Sequence, residues 1–464
     1  MGDDVALAGF DDIPTGRDVT PALTTVRIPL EEVGYQALHA ATDAEWEPAA
    51  LRLDAAARRR RMTRVVVAVD SFKGSIGAAD AAAAVRDGWS VARRGDEVVL
   101  RPMADGGEGT LDAFAAAVPG ARRMPVTVCG PHGREIPASW LLLPDGTGVV
   151  ELASTSGIEL LQADGGGGLR PWDAGTRGFG EAIAAALDHG VERLVLGIGS
   201  SASTDGGVGA LTALGARFTD AAGAPVAAGL RGVATLARAD FSGLRPLPPG
   251  GAVVLSDVTN PLCGPGGAAA VFGPQKGLDA EGVAAADAAL ARFAHLLAAA
   301  VAERAGSRRE RPLRTDHSGP ARQHPAHSAH VWDAGTPGAG AAGGTGFGLL
   351  AWGAELVPGA ERVAELIRLA DAIAGADLVI TGEGSYDGQS AAGKAPAFVA
   401  RLASAAGVPA ALVAGRITAD ADTPAFAASV SLTELAGSPE ASLAAPADWL
   451  RAAGAQLAEA APAR

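Results

Sequence analysis

Two cysteines, Cys129 and Cys263, are all that this 464-residue chain contains. They are too few for a disulfide framework and are not in metal-ligand spacing, which points to a reducing compartment. Aromatic residues make up only 4%, so the core must be built from Ala, Val and Leu, the composition of helices packed on sheets. No stretch of about 18 or more apolar residues stands out. The start, Met1-Gly2-Asp3-Asp4, lacks the positive charge and apolar run of a signal peptide. Together these absences predict a cytoplasmic chain that enters no membrane. Positive charge is short as well. The net charge is −14 with no basic stripe to offset it, which argues against nucleic-acid partners, because duplex binding draws on Lys and Arg contacts to phosphate. Scarcest of all is lysine: of 38 basic residues only Lys73, Lys276 and Lys394 are lysines, each beside a glycine. A compact ammonium tracks a moving phosphoryl group as a point charge in a way that a planar guanidinium does not. Lys73 and Lys276 are therefore candidates for contact with phosphoryl oxygens.

What is present is an alternation of strand and helix patterns. A strand at 65–69 leads through a loop with Asp70 and Lys73 to a helix at about 77–93, a strand at 97–101, and the loop Pro102-Met103-Ala104-Asp105-Gly106-Gly107-Glu108-Gly109-Thr110. Such alternation predicts a largely parallel sheet with binding loops at the C-terminal ends of its strands, where Asp70, Asp105 and Glu108 fall. Length allows about three units. We expect a Rossmann-like domain from 62–119 and 300–464, a second α/β domain at 120–299, a polar His-rich insertion at 307–334, and a separate stretch at 1–61 ending in Arg58-Arg59-Arg60-Arg61. Met62 reads as the natural start of a complete enzyme. The last core strand is expected at 410–415.

The stretch Leu194-Val195-Leu196-Gly197-Ile198-Gly199-Ser200-Ser201-Ala202-Ser203-Thr204-Asp205-Gly206-Gly207 reads as a strand that breaks into glycines and hydroxyls before a helix resumes at Val208. A loop of this kind turns backbone N–H groups and the positive end of a helix dipole towards an anion. Asp205 would repel phosphate unless it holds a metal or accepts a proton from a hydroxyl, and that combination points to phosphoryl transfer. A dinucleotide-dependent oxidoreductase is the competing enzyme class, but no Gly-x-Gly-x-x-Gly lies between the first strand and first helix.

Seven motifs in order, Asp70-Ser71-Phe72-Lys73-Gly74-Ser75, Met103-Ala104-Asp105-Gly106-Gly107-Glu108-Gly109-Thr110, Ser201-Ala202-Ser203-Thr204-Asp205-Gly206-Gly207, Asp257-Val258-Thr259-Asn260-Pro261-Leu262, Phe272-Gly273-Pro274-Gln275-Lys276-Gly277, Gly340-Ala341-Ala342-Gly343-Gly344 and Ile380-Thr381-Gly382-Glu383-Gly384, resemble the type-1 glycerate kinases. The family loop often reads Gly-Gly-Ser-Ala-Thr-Asn-Asp-Gly-Gly; here Ser200, Ser203 and Thr204 replace Gly, Thr and Asn. The resemblance implies ATP- and Mg²⁺-dependent phosphorylation of D-glycerate to 2-phosphoglycerate; another small hydroxy acid is the alternative substrate. It also implies a discontinuous Rossmann-like domain with a second α/β domain inserted and the active site in the cleft between them.

On this basis Asp205 is assigned as the base that takes the glycerate hydroxyl proton, and Lys73 and Lys276 as holders of the phosphoryl oxygens. Ser201, Gly206, Gly207, Gly382, Glu383 and Gly384 are assigned to ATP. Asp70, Ser71, Asp105 and Arg177 are assigned to glycerate, and Asp105 and Asp257 to Mg²⁺, which usually takes one or two carboxylates and fills its shell with water and phosphate. A homo-oligomer is left open. Within 1–61, the segments Asp4–Pro14 and Pro21–Val26, followed by an expected helix at Leu30–Ala41, resemble the end of the effector domain of lactose-repressor-type regulators, a fragment too short to carry a regulator's function.

Overall fold

The computed structural model describes residues 62–163, 168–309, 332–387, 395–418, 421, 423 and 425–461, with the backbone of three short segments nearer the N-terminus, Ala8–Phe10, Thr24–Arg27 and Ala56–Arg58. Those three segments form a small sheet of their own. The rest of the regulator-like stretch, most of the His-rich insertion and Lys394 lie outside the described residues.

The chain forms two compact units, one of Met1–Ile76, Asp80–Leu100 and Ala370–Arg464, the other of Gly77–Ala79 and Arg101–Leu369. The first is discontinuous, as the sequence suggests, but the crossing points are Leu100 and Leu369 rather than 119 and 300. Sheet pairing accounts for the difference. The strand Glu355–Val357 pairs in parallel with Ala252–Leu255, and the helix after the Asp105 loop packs on the sheet of the second unit; neither partnership is visible in local periodicity.

In the first unit, strands β1 (Arg64–Val69) and β2 (Glu97–Leu100) join β9, β10 and β11 (Leu378–Tyr386, Ala410–Ile417 and Ala428–Ser431) in the all-parallel order β11-β10-β9-β1-β2. Val65 to Val69 are all at 0% exposure, which is why that strand reads as an unbroken apolar run: both faces of a parallel sheet are covered. One expectation needs correction. The strand at Ala410 is followed by one more, β11, whose Ala-Ser-Val-Ser sequence is half hydroxyl and suits an edge. Pairing of β9 with β10 runs past Glu383 through Ser385 and Tyr386.

Helices α1 (Ala78–Ala92) and α7 (Pro446–Ala460) close this sheet. They meet backbone to backbone. A Cβ on Gly88 would lie 1.9 Å from the Arg451 carbonyl oxygen, and one on Gly454 would lie 2.2 Å from that of Val85. The buried Arg93 ties the far end of α7 by donating to the Ala458 carbonyl at 2.6 Å.

The second unit carries β3 (Arg122–Cys129), β4 (Glu135–Leu142), β5 (Thr147–Glu151), β6 (Arg193–Gly197), β7 (Ala252–Leu255) and β8 (Glu355–Val357) in the order β8-β7-β6-β5-β4-β3. The four strands from β5 to β8 are parallel and β3–β4 is an antiparallel extension. Around them lie α2 (Thr110–Ala117), α3 (Arg177–His189), α4 (Val208–Ala213), α5 (Ala280–Arg309) and α6 (Thr345–Trp352). The segment Ala280–Arg304 is the one helix among the described residues long and apolar enough to cross a membrane, an exception to the expectation that no such run exists. Its Ala286, Leu290, Phe293 and Leu297 are at 0% exposure in the core of this unit, the placement of a core helix.

The glycine crossing gives a test in which two effects have opposite signs. Gly→Ala inside an exposed helix is worth about 1 kcal/mol of added stability, whereas forcing a methyl group into a closed contact costs about 1–3 kcal/mol. At 1.9 Å from a backbone oxygen the second effect wins, and Gly88→Ala should lower Tm by roughly 4–8 °C for a loss of about 2 kcal/mol. A Tm at or above the parental value in a calorimetric scan would mean that the helices do not cross this closely.

Candidate active site

The Ser200–Gly207 loop leaves the C-terminal end of β6 and enters α4. Asp205 within it has 0% of its surface exposed. A buried carboxylate must be hydrogen-bonded or it is too costly to keep, and five donors meet this one. Oδ2 accepts from the Thr176 amide at 2.9 Å, the Thr176 hydroxyl at 2.8 Å and the Gly209 amide at 3.2 Å. Oδ1 accepts from Ser203 Oγ at 3.2 Å and the Gly207 amide at 3.1 Å. A carboxylate offers about four lone-pair sites, so all are taken. These bonds let the carboxylate organise the loop and the start of α3.

Lys276 lies in a short 3-10 turn, Pro274–Lys276, closed by Gly277 at φ +95°. Its ammonium is buried against the inner side of the same loop, where Nζ donates to Ser201 Oγ at 2.7 Å and to the Ser203 carbonyl at 2.6 Å. Burial pushes its pKa down to about 7, with the negative charge of Asp205 pulling the other way. An ammonium carries three donors, so two are committed to the loop and one is left for a ligand.

Gly206 and Gly207 are expected to let a ligand approach the backbone, but the structure uses them for its own packing. Gly206, at φ +64°, faces the Phe293 ring so closely that a Cβ there would lie 2.6 Å from it, and it donates its amide to the Gly343 carbonyl. Gly343 in turn passes so close to Ser203 that a Cβ there would lie 2.1 Å from its carbonyl oxygen. The glycine-rich run before α6 is therefore a buried brace behind the loop. The departures from the usual family loop leave marks as well. Ser200 holds a left-handed φ of 59° where the family often has glycine, at a cost of about 1 kcal/mol. Thr204, where the family often has Asn, keeps its hydroxyl buried without a protein partner.

The Asp105 loop comes to the same end of the sheet. Gly106 sits against Leu255 at the end of β7 and accepts the Gly199 amide at 2.9 Å. Asp105 Oδ1 receives the Gly107 amide at 2.9 Å. Asp257, just beyond β7, accepts the Gly359 amide at 2.7 Å, and Gly359 also packs on the Asp105 backbone. Asp105, Asp257, Ser201, Asp205 and Lys276 are thus gathered in one unit at the C-terminal ends of β6 and β7. Arg177 opens α3, but its exposed guanidinium pairs with Glu181 at 2.8 Å.

Sequence reasoning missed Thr176, which contributes two of the donors to Asp205, and Glu151, a buried carboxylate at the end of β5 that accepts the Thr110 amide at 2.8 Å. Burial raises the Glu151 pKa to about 7. A lone charge closing the apolar run Gly148–Leu152 is the signal that could have found it.

In the first unit, the Asp70 amide donates to the Gly382 carbonyl at 2.8 Å, and Gly384 lets the Phe72–Lys73 backbone pass at about van der Waals distance. Asp70, Ser71 and Lys73 are therefore grouped at the C-terminal end of β1, beside Glu383 within β9. Lys73 is exposed and Glu383 half-buried.

Residues 65–461 match the profile of the glycerate kinase family. The chain belongs to the glycerate kinase family. It is 38% identical to glycerate 2-kinase of Escherichia coli K12 and 39% identical to glycerate kinase of Bacillus subtilis 168, each alignment covering 77% of this chain and 86% of the relative. The crystal structure of a glycerate kinase 2 from Salmonella typhimurium LT2 superposes with a TM-score of 0.69 at 36% identity, covering 86% of this chain and 98% of that one. This glycerate kinase is thus an enzyme that transfers a phosphoryl group to glycerate, and ATP is the donor that a kinase implies.

Two variants test the buried cluster. Asp205→Asn keeps the shape but turns an NH₂ towards amide donors, leaving at least one unsatisfied at about 1–3 kcal/mol each. Both Tm and kcat should fall; a parental Tm would show that the carboxylate does not hold the loop. For Lys276 the folded pKa, about 7, lies below the ordinary 10.5, so its contribution is fully present above pH 10.5 and is lost as pH falls towards 7. Denaturant unfolding of Lys276→Met should therefore gain on the parent as pH drops from 10 to 7. Parallel stability curves would refute the burial of an ionisable amine here.

Proposed function

We propose that this enzyme phosphorylates the 2-hydroxyl of D-glycerate, with Mg²⁺-bound ATP as donor, giving 2-phosphoglycerate. The observation that carries this reading is the gathering of Asp105, Asp257, Ser201 and Lys276 at the C-terminal ends of β6 and β7 within one unit, supported for the 2-position by the relative from Escherichia coli, a glycerate 2-kinase. Phosphoryl transfer passes through a loose transition state in most analyses, and positioning and charge neutralisation supply most of the catalysis.

Lys276 holds the inner side of the Ser200–Gly207 loop and offers its remaining donor to a phosphoryl oxygen. Asp105 takes a glycerate hydroxyl, and Asp205 is assigned as the base that accepts the proton this hydroxyl loses as its oxygen bonds to phosphorus. Arg177 serves the glycerate carboxylate by leaving Glu181, a cheap exchange because exposed ion pairs are worth about 0–1 kcal/mol. In the first unit we assign Gly382, Glu383 and Gly384 to ATP, Asp70 and Ser71 to glycerate, and Lys73 to the phosphoryl oxygens.

A hard cation fits the donors present. Among the described residues no three His, Cys, Asp or Glu side chains form a metal cage, and Mg²⁺ asks for only one or two carboxylates. Asp105 and Asp257, joined through Gly359, would hold it, and its chemistry there would be neutralisation of the phosphate charge. We further propose that the enzyme is cytoplasmic and that residues 1–61, which precede the family match at 65, are a regulator-like remnant with no part in catalysis.

ADP release coupled to D-glycerate, with the product identified by phosphorus NMR, tests the reading directly. The expected product is 2-phosphoglycerate, formed only with divalent cation. Turnover of glycerate to the 3-phosphate, or equal rates on other small hydroxy acids, would overturn it. Lys73→Arg and Lys276→Arg keep the charge but widen the donor, and each should lower kcat by about 10² on the scale of losing one transition-state contact. Parental rates in both would remove the lysines from the chemistry.

A further inference from the structure

Glu151 is a buried carboxylate that none of the roles above uses. It ends β5, directly opposite Gly197 at the end of β6, with 4% of its surface exposed. Its carboxylate accepts the amide of Thr110 at 2.8 Å. This is the first amide of α2, which has no partner within the helix. The residue before it, Gly109, stands in a left-handed conformation at φ 84° and has no side chain with which to cap. The cap is thus supplied across space by a neighbouring strand, and a negative charge there also suits the helix dipole.

What this cap steadies is the Asp105 loop. Thr110 Oγ1 donates to the Gly107 carbonyl at 2.7 Å, and the Gly107 amide donates to Asp105 Oδ1 at 2.9 Å. Gly106 is wedged between Leu255 and the Gly197–Gly199 backbone. A short chain of hydrogen bonds therefore runs from Glu151 through Thr110 and Gly107 to Asp105. Among the described residues, the other ionisable side chain bearing on Glu151 is Asp112, on α2 itself.

We propose that Glu151 is a positioning residue for substrate binding: through the N-terminus of α2 its accepting oxygen holds the Asp105 loop in the conformation that takes glycerate. The proposal rests on the assignment of Asp105 to glycerate. It is tested in the full chain with Glu151→Ala, Glu151→Gln and Asp105→Asn. Glu151→Ala should raise KM for glycerate about tenfold, the effect of one lost charge-assisted hydrogen bond, while KM for ATP stays within about twofold. Glu151→Gln keeps an accepting oxygen and should recover most of that loss. Hydrogen exchange at Gly107 to Leu111 should quicken in Glu151→Ala and return in Glu151→Gln, a readout that survives loss of activity.

A parental KM for glycerate in Glu151→Ala, with Asp105→Asn impaired, overturns the positioning role alone. If Asp105→Asn binds glycerate normally, the assignment of Asp105 fails and the proposal falls with it. A Glu151→Gln enzyme as impaired as Glu151→Ala also overturns it, because an accepting oxygen would then not be what matters.

Discussion

An ionised carboxylate taken out of water has to be given hydrogen bonds by the protein, and the demand made by Asp205 shapes most of the second unit around its loop. Unpaired, such a charge would cost several kcal/mol. Satisfying it draws in the start of α3 through Thr176, the loop through Ser203 and Gly207, and the first turn of α4 through Gly209. Once those segments are drawn together the backbone is crowded, and glycines at 206 and 343 are what the crowding tolerates. Lys276 completes the arrangement from beneath by bonding the hydroxyl of Ser201 and the carbonyl of Ser203. The charges are held in fixed places before any substrate arrives, which is the economical way to stabilise a transition state made mostly of redistributed charge.

The parallel sheets supply the platform. Their strands end together, so loops far apart in sequence emerge side by side. In the second unit this brings the Asp105 loop, the Ser200–Gly207 loop and Asp257 to neighbouring strand ends, with Glu151 fixing the first of them by its helix. In the first unit the same rule places Asp70 and Lys73 at the end of β1 beside Glu383 in β9. The antiparallel pair β3–β4 and the edge strand β11 carry none of the assigned residues. They widen the sheets and cover apolar surface.

Much of this was legible in the sequence. Alternating strand and helix patterns, the apolar run Val65–Val69 and the glycine-rich loops carry local information, because periodicity reports which faces are buried. Lysines surviving beside glycine in a chain that otherwise uses arginine marked Lys73 and Lys276, and a carboxylate inside a glycine-rich loop marked Asp205. What each of them does was another matter. Three of the five donors to Asp205 lie within four residues of it, but the other two belong to Thr176, 29 residues away and brought there by folding.

The sequence by itself therefore determined the fold class, the order of the elements and the residue types gathered for phosphoryl transfer, since these follow from local patterning and side-chain chemistry. Tertiary structure alone decided where the two units exchange, that Gly88 and Gly454 join two helices, that Glu151 caps a helix it does not belong to, and that the ammonium of Lys276 reaches a serine 75 residues earlier. The reason is physical. Close backbone approach and the satisfaction of buried polar groups depend on which distant segments share the same space, and no local period in a chain records that.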